Sequence, residues 1–118
     1  MPLSQDDRKT YKDLYIKTAT DYVKQLQKDL QQLRVGKETS DIIDSIHRCA
    51  HSLRGQSDMM GYPSMKDISS MLEKIFDAKK VSKMVFSDEV LKIFENAVKA
   101  MEECLTSIQK SGEESDVE

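Results

Sequence analysis

Apolar residues recur along this chain at the spacing of a helix face, in four separate stretches. In the first stretch they advance in steps of three or four residues, which predicts a helix over about residues 5 to 34. Ser4 and Asp7 are close to a capping box at its start, and Gly36 suits the left-handed turn at its end. The apolar positions are Tyr11, Tyr15, Ala19, Tyr22, Leu26, Leu30 and Leu33.

The second and third stretches are joined by a short turn. Thr39 or Ser40 can cap a second helix that ends near Gly61, and Pro63 suits the first turn of a third helix over about residues 63 to 79. The second helix is expected to bury Ile43, Ile46, Ala50, Leu53, Ser57 and Met60. The third is expected to bury Met65, Ile68, Leu72, Ile75 and Phe76.

The fourth stretch follows a loop, and Ser87 is expected to cap a helix that runs to about Lys110. Its apolar positions are Val90, Phe94, Ala97, Val98, Met101, Leu105 and Ile108. No segment alternates with a period of two, and the connections are short. The pattern therefore predicts an all-α fold, an antiparallel up-down-up-down four-helix bundle over residues 1–110. Residues 111–118 are expected to be an acidic disordered tail or the start of a linker.

Composition fits a single soluble domain of 118 residues with a net charge of −3. The chain lacks an apolar run of membrane-spanning length and the order of a secretory signal, so we expect a cytoplasmic protein without membrane contact. Cys49 and Cys104 are too far apart for a disulfide scaffold or zinc motif, and we expect buried, reduced thiols. Since the four helices come from one chain, we expect a monomer.

The sequence also lacks a broad basic region and a glycine-rich phosphate-binding motif, which restricts the possible functions. The mild acidity, with one short basic cluster in a solvated loop at Lys79, Lys80 and Lys83, argues against nucleic acid as a partner. No glycine lies in a phosphate-binding motif such as GxxxxGK[ST] or GxGxxG. We therefore expect no ATP site, so that any phosphate chemistry would need a donor from another domain.

The second predicted helix contains the residues most suited to take part in a chemical reaction. His51, Arg54, Gly55 and Asp58 share a face beside the buried stripe. Glycine inside a helix costs about 1 kcal/mol relative to alanine, and here it either leaves the His51 ring open to another protein or allows close helix packing. Arg54 would place a permanent positive charge beside any group attached to His51.

An antiparallel hairpin of the second and third helices would place residues at one level when their numbers add up to about 124. The pairs are His51 with Glu73, Arg54 with Ser70, and His47 with Asp77. Glu73 could then accept a hydrogen bond from Nδ1–H of His51 and leave Nε2 as a free nucleophile. Such an arrangement could receive a phosphoryl group.

The run from Ala50 to Ser57, continued by Met59 to Tyr62 and by Met71 to Glu73, resembles the histidine phosphotransfer (HPt) domain. It is most similar to the N-terminal phosphotransfer domain of chemotaxis histidine kinases of the CheA type, over about residues 47 to 77. The resemblance implies that an ATP-binding kinase domain phosphorylates His51. A response-regulator receiver domain, which supplies Mg²⁺, would then take the phosphoryl group onto an aspartate. This chain would be a carrier without a cofactor of its own.

The resemblance also implies residue roles. His51 is the phosphoacceptor, Glu73 orients its imidazole, and Arg54, where the family usually has lysine, neutralises the phosphoryl charge. The docking face around His51 is expected to comprise Gly55, Asp58 and Ser70. Many chemotaxis kinases have a second histidine at the position of Ser70, so the fine tuning of the hydrogen-bond network is left open.

Other interpretations remain at this point. A helical adaptor could keep the bundle and its docking face without using the histidine. His47 and His51 have the spacing of a metal-ligand pair, but further ligands are missing, and Arg48 replaces the glutamate of HExxH. The methionines Met59, Met60, Met65 and Met71 are expected to fill gaps in the core or at a bundle end. Whether the chain is a separate protein or part of a larger kinase is open.

Overall fold

The structure, a computed structural model, describes residues 4–82 and 85–114. It contains four α-helices: α1 (Gln5–Arg34), α2 (Ser40–Met60), α3 (Pro63–Lys79) and α4 (Asp88–Ser111). None of these described residues lies in a strand. The all-α four-helix bundle is therefore confirmed, with α4 ending one residue later than predicted. No described helix combines the length and apolar character that a membrane span requires.

Local signals set most of the helix ends. The first turns of α1, α2 and α4 are capped by side-chain oxygens of Ser4, Thr39 and Ser87. Both α2 and α4 end at a glycine in the left-handed region, Gly61 with φ 77° and Gly112 with φ 80°. The start of α3 is different, because Tyr62 provides no side-chain cap.

The helices form a ring in which α1 packs against α2 and α4, and α3 packs against the same two neighbours. Contacts between α2 and α3 join residues in opposite order along the two helices. His47 lies beside Asp77, at 3.6 Å, and Asp58 lies beside Lys66, at 3.1 Å. These contacts support the predicted antiparallel hairpin, while the complete up-down-up-down order stays a prediction.

The core lies along the ring axis and draws on all four helices. At one end the rings of Phe76, Phe86 and Phe94 pack together, with centroid distances of 5.0 to 5.3 Å. Cys49 and Cys104 are buried and form no disulfide, as predicted. Burial raises the pKa of the Cys49 thiol to about 11, so this thiol stays protonated at neutral pH.

The predicted stripe on α1 is wrong at Tyr11, which is 50% exposed. Tyr22 is partly buried against the core, and its neighbour Val23, which the stripe leaves out, is buried. The Tyr15 hydroxyl meets the Ser57 Oγ at 2.7 Å, close to the end of α2. One turn earlier on α1, Tyr11 lines a cavity with Met59 and Met60 at the end of α2, and half of its surface stays exposed.

The basic cluster also differs from the prediction of a solvated loop. The Lys79 side chain is only 7% exposed, with its Nζ 3.4 Å from a Glu38 carboxylate oxygen and 5.2 Å from the centre of the Phe86 ring. Lys80 pairs with Asp44 at 3.1 Å. Lys83 lies outside the described residues, as do residues 115–118 of the predicted tail.

Candidate functional site

His51 lies on the outer side of α2, with 61% of its side chain exposed. Its Nδ1 is hydrogen-bonded to Oε2 of Glu73 on α3. These two residues lie at one level of the α2–α3 hairpin, as predicted, and their side chains are in contact. Because a carboxylate can only accept, we assign the ring hydrogen to Nδ1, and the Nε2 lone pair is then available on the exposed side of the ring.

Glu73 is held from two sides. Its side chain is 16% exposed, and its second oxygen, Oε1, accepts a hydrogen bond from Nε of Arg54 at 2.7 Å. Burial alone would raise the pKa of Glu73. The hydrogen bonds from His51 and Arg54, together with the Arg54 charge, outweigh burial and hold this pKa below its usual range. The carboxylate therefore remains ionised at neutral pH.

Arg54 approaches the imidazole from the Nδ1 side. Its Nη2 lies 3.4 Å from Nδ1 of His51. Since Nδ1 already donates to Glu73, this contact brings positive charge rather than another hydrogen bond. Arg54 was predicted to lie level with Ser70, but its side chain contacts Glu73 and His51. Ser70 is half-buried, and no recorded contact joins it to His51 within the described part of the chain.

The surface beside His51 is open at Gly55. This residue is exposed, and a Cβ built on it would meet no atom within 4 Å. The alternative that Gly55 allows close helix packing is therefore wrong for this chain. Asp58, one turn further along α2, is exposed and pairs with Lys66.

His47 lies one turn before His51 in a different environment. Its side chain is 20% exposed, its Nε2 lies 3.6 Å from Asp77, and its Nδ1 lies 3.2 Å from Nζ of Lys80. Both ring nitrogens of His47 therefore face charged side chains. The two histidine rings are 6.4 Å apart, and no group of three or more metal-ligating side chains occurs among the residues described.

An exposed apolar surface between α1 and α2 was missed by the sequence analysis. Tyr11, Leu14 and Met59 are all exposed, with Met59 at 85%, and they help to line a cavity of about 240 Å³. Of the methionines expected in the core or at a bundle end, Met65 is fully buried, whereas Met59 lies exposed at the end of α2. Leu14 could have signalled this surface, because it is apolar but lies off the predicted stripe.

Several chemotaxis proteins are similar in sequence to this chain. "Chemotaxis protein CheA" of Listeria monocytogenes is 24% identical over 101 residues, which are 86% of this chain and 16% of that protein. The protein of the same name from Halobacterium salinarum is 28% identical over 104 residues, 87% of this chain and 15% of the relative. In Bacillus subtilis the identity is 26% over 107 residues, 91% of this chain and 16% of the relative.

The chain thus spans about a sixth of the length of these curated relatives. No solved structure gives a significant match. The similarity to a known family extends well beyond residues 47 to 77, which carry the resemblance in the sequence. The chain matches the Hpt domain over residues 10–111, from the second turn of α1 to the last residue of α4. With the match extending across all four helices, the chain belongs to the Hpt domain family.

Proposed function

We propose that this domain carries a phosphoryl group on Nε2 of His51 in a phosphorelay, as part of a chemotaxis-like two-component pathway. The proposal rests on the exposure and the hydrogen bonding of the His51 side chain. Its ring is largely exposed, its Nδ1 is bound by Glu73, and no contact among the described residues engages its Nε2. Membership of the Hpt domain family and similarity to CheA proteins support the same conclusion.

In the proposed reaction, a phosphoryl group passes from an oxygen atom of ATP to Nε2 of His51. The Nε2 lone pair of His51 attacks the terminal phosphorus of ATP held by a kinase domain, an N–P bond forms, and ADP leaves with the electrons of the broken O–P bond. The imidazole then carries a hydrogen on Nδ1 and a phosphoryl group on Nε2, and so gains positive charge. The Glu73 carboxylate, already hydrogen-bonded to Nδ1, stabilises that charge.

The second transfer reverses the first at the ring. A carboxylate oxygen from an aspartate of a receiver domain attacks the phosphorus, the N–P bond breaks, and its electron pair returns to Nε2. Mg²⁺ would be supplied by the receiver and ATP by the kinase domain, and this domain would contribute the nucleophile and its orientation. The proposed receiver contact is the face around His51 at Gly55, Asp58 and Ser70, extended along α2 to the apolar surface at Met59.

Arg54 has two roles in this proposal. Its Nε donates to Glu73 and so helps to hold the carboxylate that orients the ring. A guanidinium has further N–H groups, and its charge can compensate the negative charge that the phosphoryl group adds. A lysine in this position could supply the charge, but it could not bind Glu73 and face a phosphoryl group with separate arms of one planar group.

The direct test uses phosphoramidate, a small phosphoryl donor, so that no cognate kinase has to be identified. We expect intact-mass and fragment analysis to find one acid-labile phosphate on His51. His47→Gln is the matched control, because it removes the neighbouring histidine and should leave phosphorylation unchanged, whereas His51→Gln should abolish it. Glu73→Ala should slow the reaction.

Equal labelling of His47 and His51 would contradict the proposal, since the ring of His51 would then have no special accessibility. The exposed surfaces at Gly55 and Met59 would in that case favour a helical adaptor that binds a signalling partner without phosphorylation. If the protein is an adaptor, its His51→Gln variant should still bind the partner and signal normally. If it is a carrier, the same variant should lose all phosphoryl transfer.

A further inference from the structure

The first turn of α3 lacks the local features that begin the other three helices. Tyr62 precedes it without a side-chain cap, Pro63 occupies the first position, and no acidic residue lies in the first turn. The N–H groups at the start of a helix have no partner within the helix, and they need an acceptor from elsewhere. Ser64 and Met65 carry the two N–H groups that a cap normally binds.

The acceptor is Glu114, about fifty residues further along the chain. Its Oε2 accepts from the Ser64 N–H at 2.9 Å, and its Oε1 accepts from the Met65 N–H at 2.8 Å. Both oxygens of one carboxylate are thus used on two consecutive N–H groups. The negative charge also lies at the positive end of the helix dipole, where it is stabilising.

The backbone after α4 is shaped to bring Glu114 to this place. Gly112 adopts a left-handed conformation with φ 80°, which turns the chain away from the helix axis. The carbonyl oxygen of Glu113 then accepts a hydrogen bond from the Ser107 hydroxyl at 2.7 Å, and the Glu113 N–H donates to the Ser111 hydroxyl oxygen at 3.3 Å. Two side chains of α4 therefore fix the residue that immediately precedes Glu114.

The surroundings of Glu114 include α1 as well. The rings of Tyr15 on α1 and Tyr62 before α3 are 5.1 Å apart. Burial raises the pKa of Tyr15 to about 12, against a hydrogen bond with Ser57 that lowers it, and the nearby Glu114 carboxylate adds to the rise. Burial and the same carboxylate also raise the pKa of Tyr62. Glu114 thus joins the end of α4 to the start of α3, and its charge lies near Tyr15 of α1.

We infer that Glu114 is the cap of α3 and also a clasp that fixes where the chain leaves the bundle, next to the turn between α2 and α3. His51 lies ten residues before Gly61, which is about 15 Å along a helix axis. Whatever follows the clasp is then tethered at a set end of the bundle, about that far from the level of His51. The folded unit accordingly extends to residue 114 and not to residue 110.

The first test compares amide hydrogen exchange in two variants of the 118-residue chain. In Glu114→Ala we expect the protection of the Ser64 and Met65 amides to fall about fivefold, as loss of a typical cap would cause. Glu113→Ala removes the same charge one residue earlier, and its recorded bonds use backbone atoms only, so it should leave both amides unchanged. Equal protection in the two variants would overturn the cap.

The second test locates the chain end directly. A spin label attached at Glu118→Cys should broaden the amide signals of Gly61, Tyr62 and residues 64–66, and combining it with Glu114→Ala should remove most of that broadening. Combining it with Glu113→Ala should not. Broadening that does not depend on Glu114 would overturn the clasp. Neither test involves phosphorylation, so its failure would leave the proposed role of His51 unaffected.

Discussion

At the scale of single residues, the site depends on Glu73, because its two oxygens hold two different side chains. One binds the imidazole of His51 and the other binds the guanidinium of Arg54. Removing the carboxylate would free both partners at once. The effects of changing Glu73 and Arg54 should therefore not be additive, since Arg54 acts on His51 partly through Glu73.

The pKa of Glu73 leads to a prediction about stability. Because this pKa is lower in the folded chain than in the unfolded chain, the ionised carboxylate stabilises the fold at neutral pH. That stabilisation is lost as the pH falls below the ordinary glutamate pKa of about 4.3 and through the lowered value. We expect Glu73→Gln to lose less stability than the wild type over this acidic range, measured by urea unfolding at several pH values.

Glu103→Gln provides the control, because Glu103 is an exposed glutamate on α4, away from the site. The stability of the Glu103→Gln variant should change with pH in the same way as that of the wild type. If Glu73→Gln and the wild type lost stability in parallel as the pH fell, the contacts made by the Glu73 carboxylate would not contribute to folding.

The sequence was informative about some of these residues and silent about others. Glu73 could be matched to His51 because a tight turn between two helices fixes their register, and register is set by counting. The contact of Arg54 with Glu73 was not foreseen, since a long side chain can reach a turn above or below its own level. Glu114 was missed because its position depends on how the chain turns at Gly112 after the last helix.

At the scale of the elements, helix ends were predictable and burial at those ends was not. Caps at Ser4, Thr39 and Ser87 act within three residues, so their signal is present in the sequence itself. The exposure of Tyr11 depends instead on where α2 stops beside α1. Periodicity identifies the side of a helix that faces its neighbours, but not how far those neighbours extend.

For α2, we predict the effect of replacing Gly55 by alanine. Its φ is not in the positive range that favours glycine, and there is space beside its Cα for the methyl group of an alanine. Gly55→Ala should therefore stabilise the chain by up to about 1 kcal/mol, measured by urea unfolding. The same methyl group would project from the face beside His51, and transfer from the phosphorylated domain to a receiver should become slower.

The reaction of this variant with phosphoramidate separates the two effects, because the small donor needs no docking face. Its rate should equal that of the wild type. A destabilised Gly55→Ala variant would contradict the open space seen around this residue, and undiminished transfer to a receiver would remove Gly55 from the docking face.

At the scale of the whole molecule, the bundle is closed at one end by residues that follow its last helix. A chain that stops after Ser111 should unfold at a lower temperature than one that stops after Glu114. Loss of a cap worth about 1 kcal/mol corresponds to about 3 to 6 °C in a domain of this size. Thermal unfolding followed by circular dichroism measures the difference, and equal midpoints would show that residues 112–114 do not contribute to folding.

The contact between His51 and Glu73 has a further consequence for recognition. The ring loses its rotational freedom when the domain folds, so an encounter with a partner does not have to restrict it again. That entropic advantage is the same for every partner, because it is acquired before any of them binds. Discrimination between correct and incorrect partners must then come from the surrounding surface, and changes there can alter specificity while the intrinsic reactivity of the nucleophile stays constant.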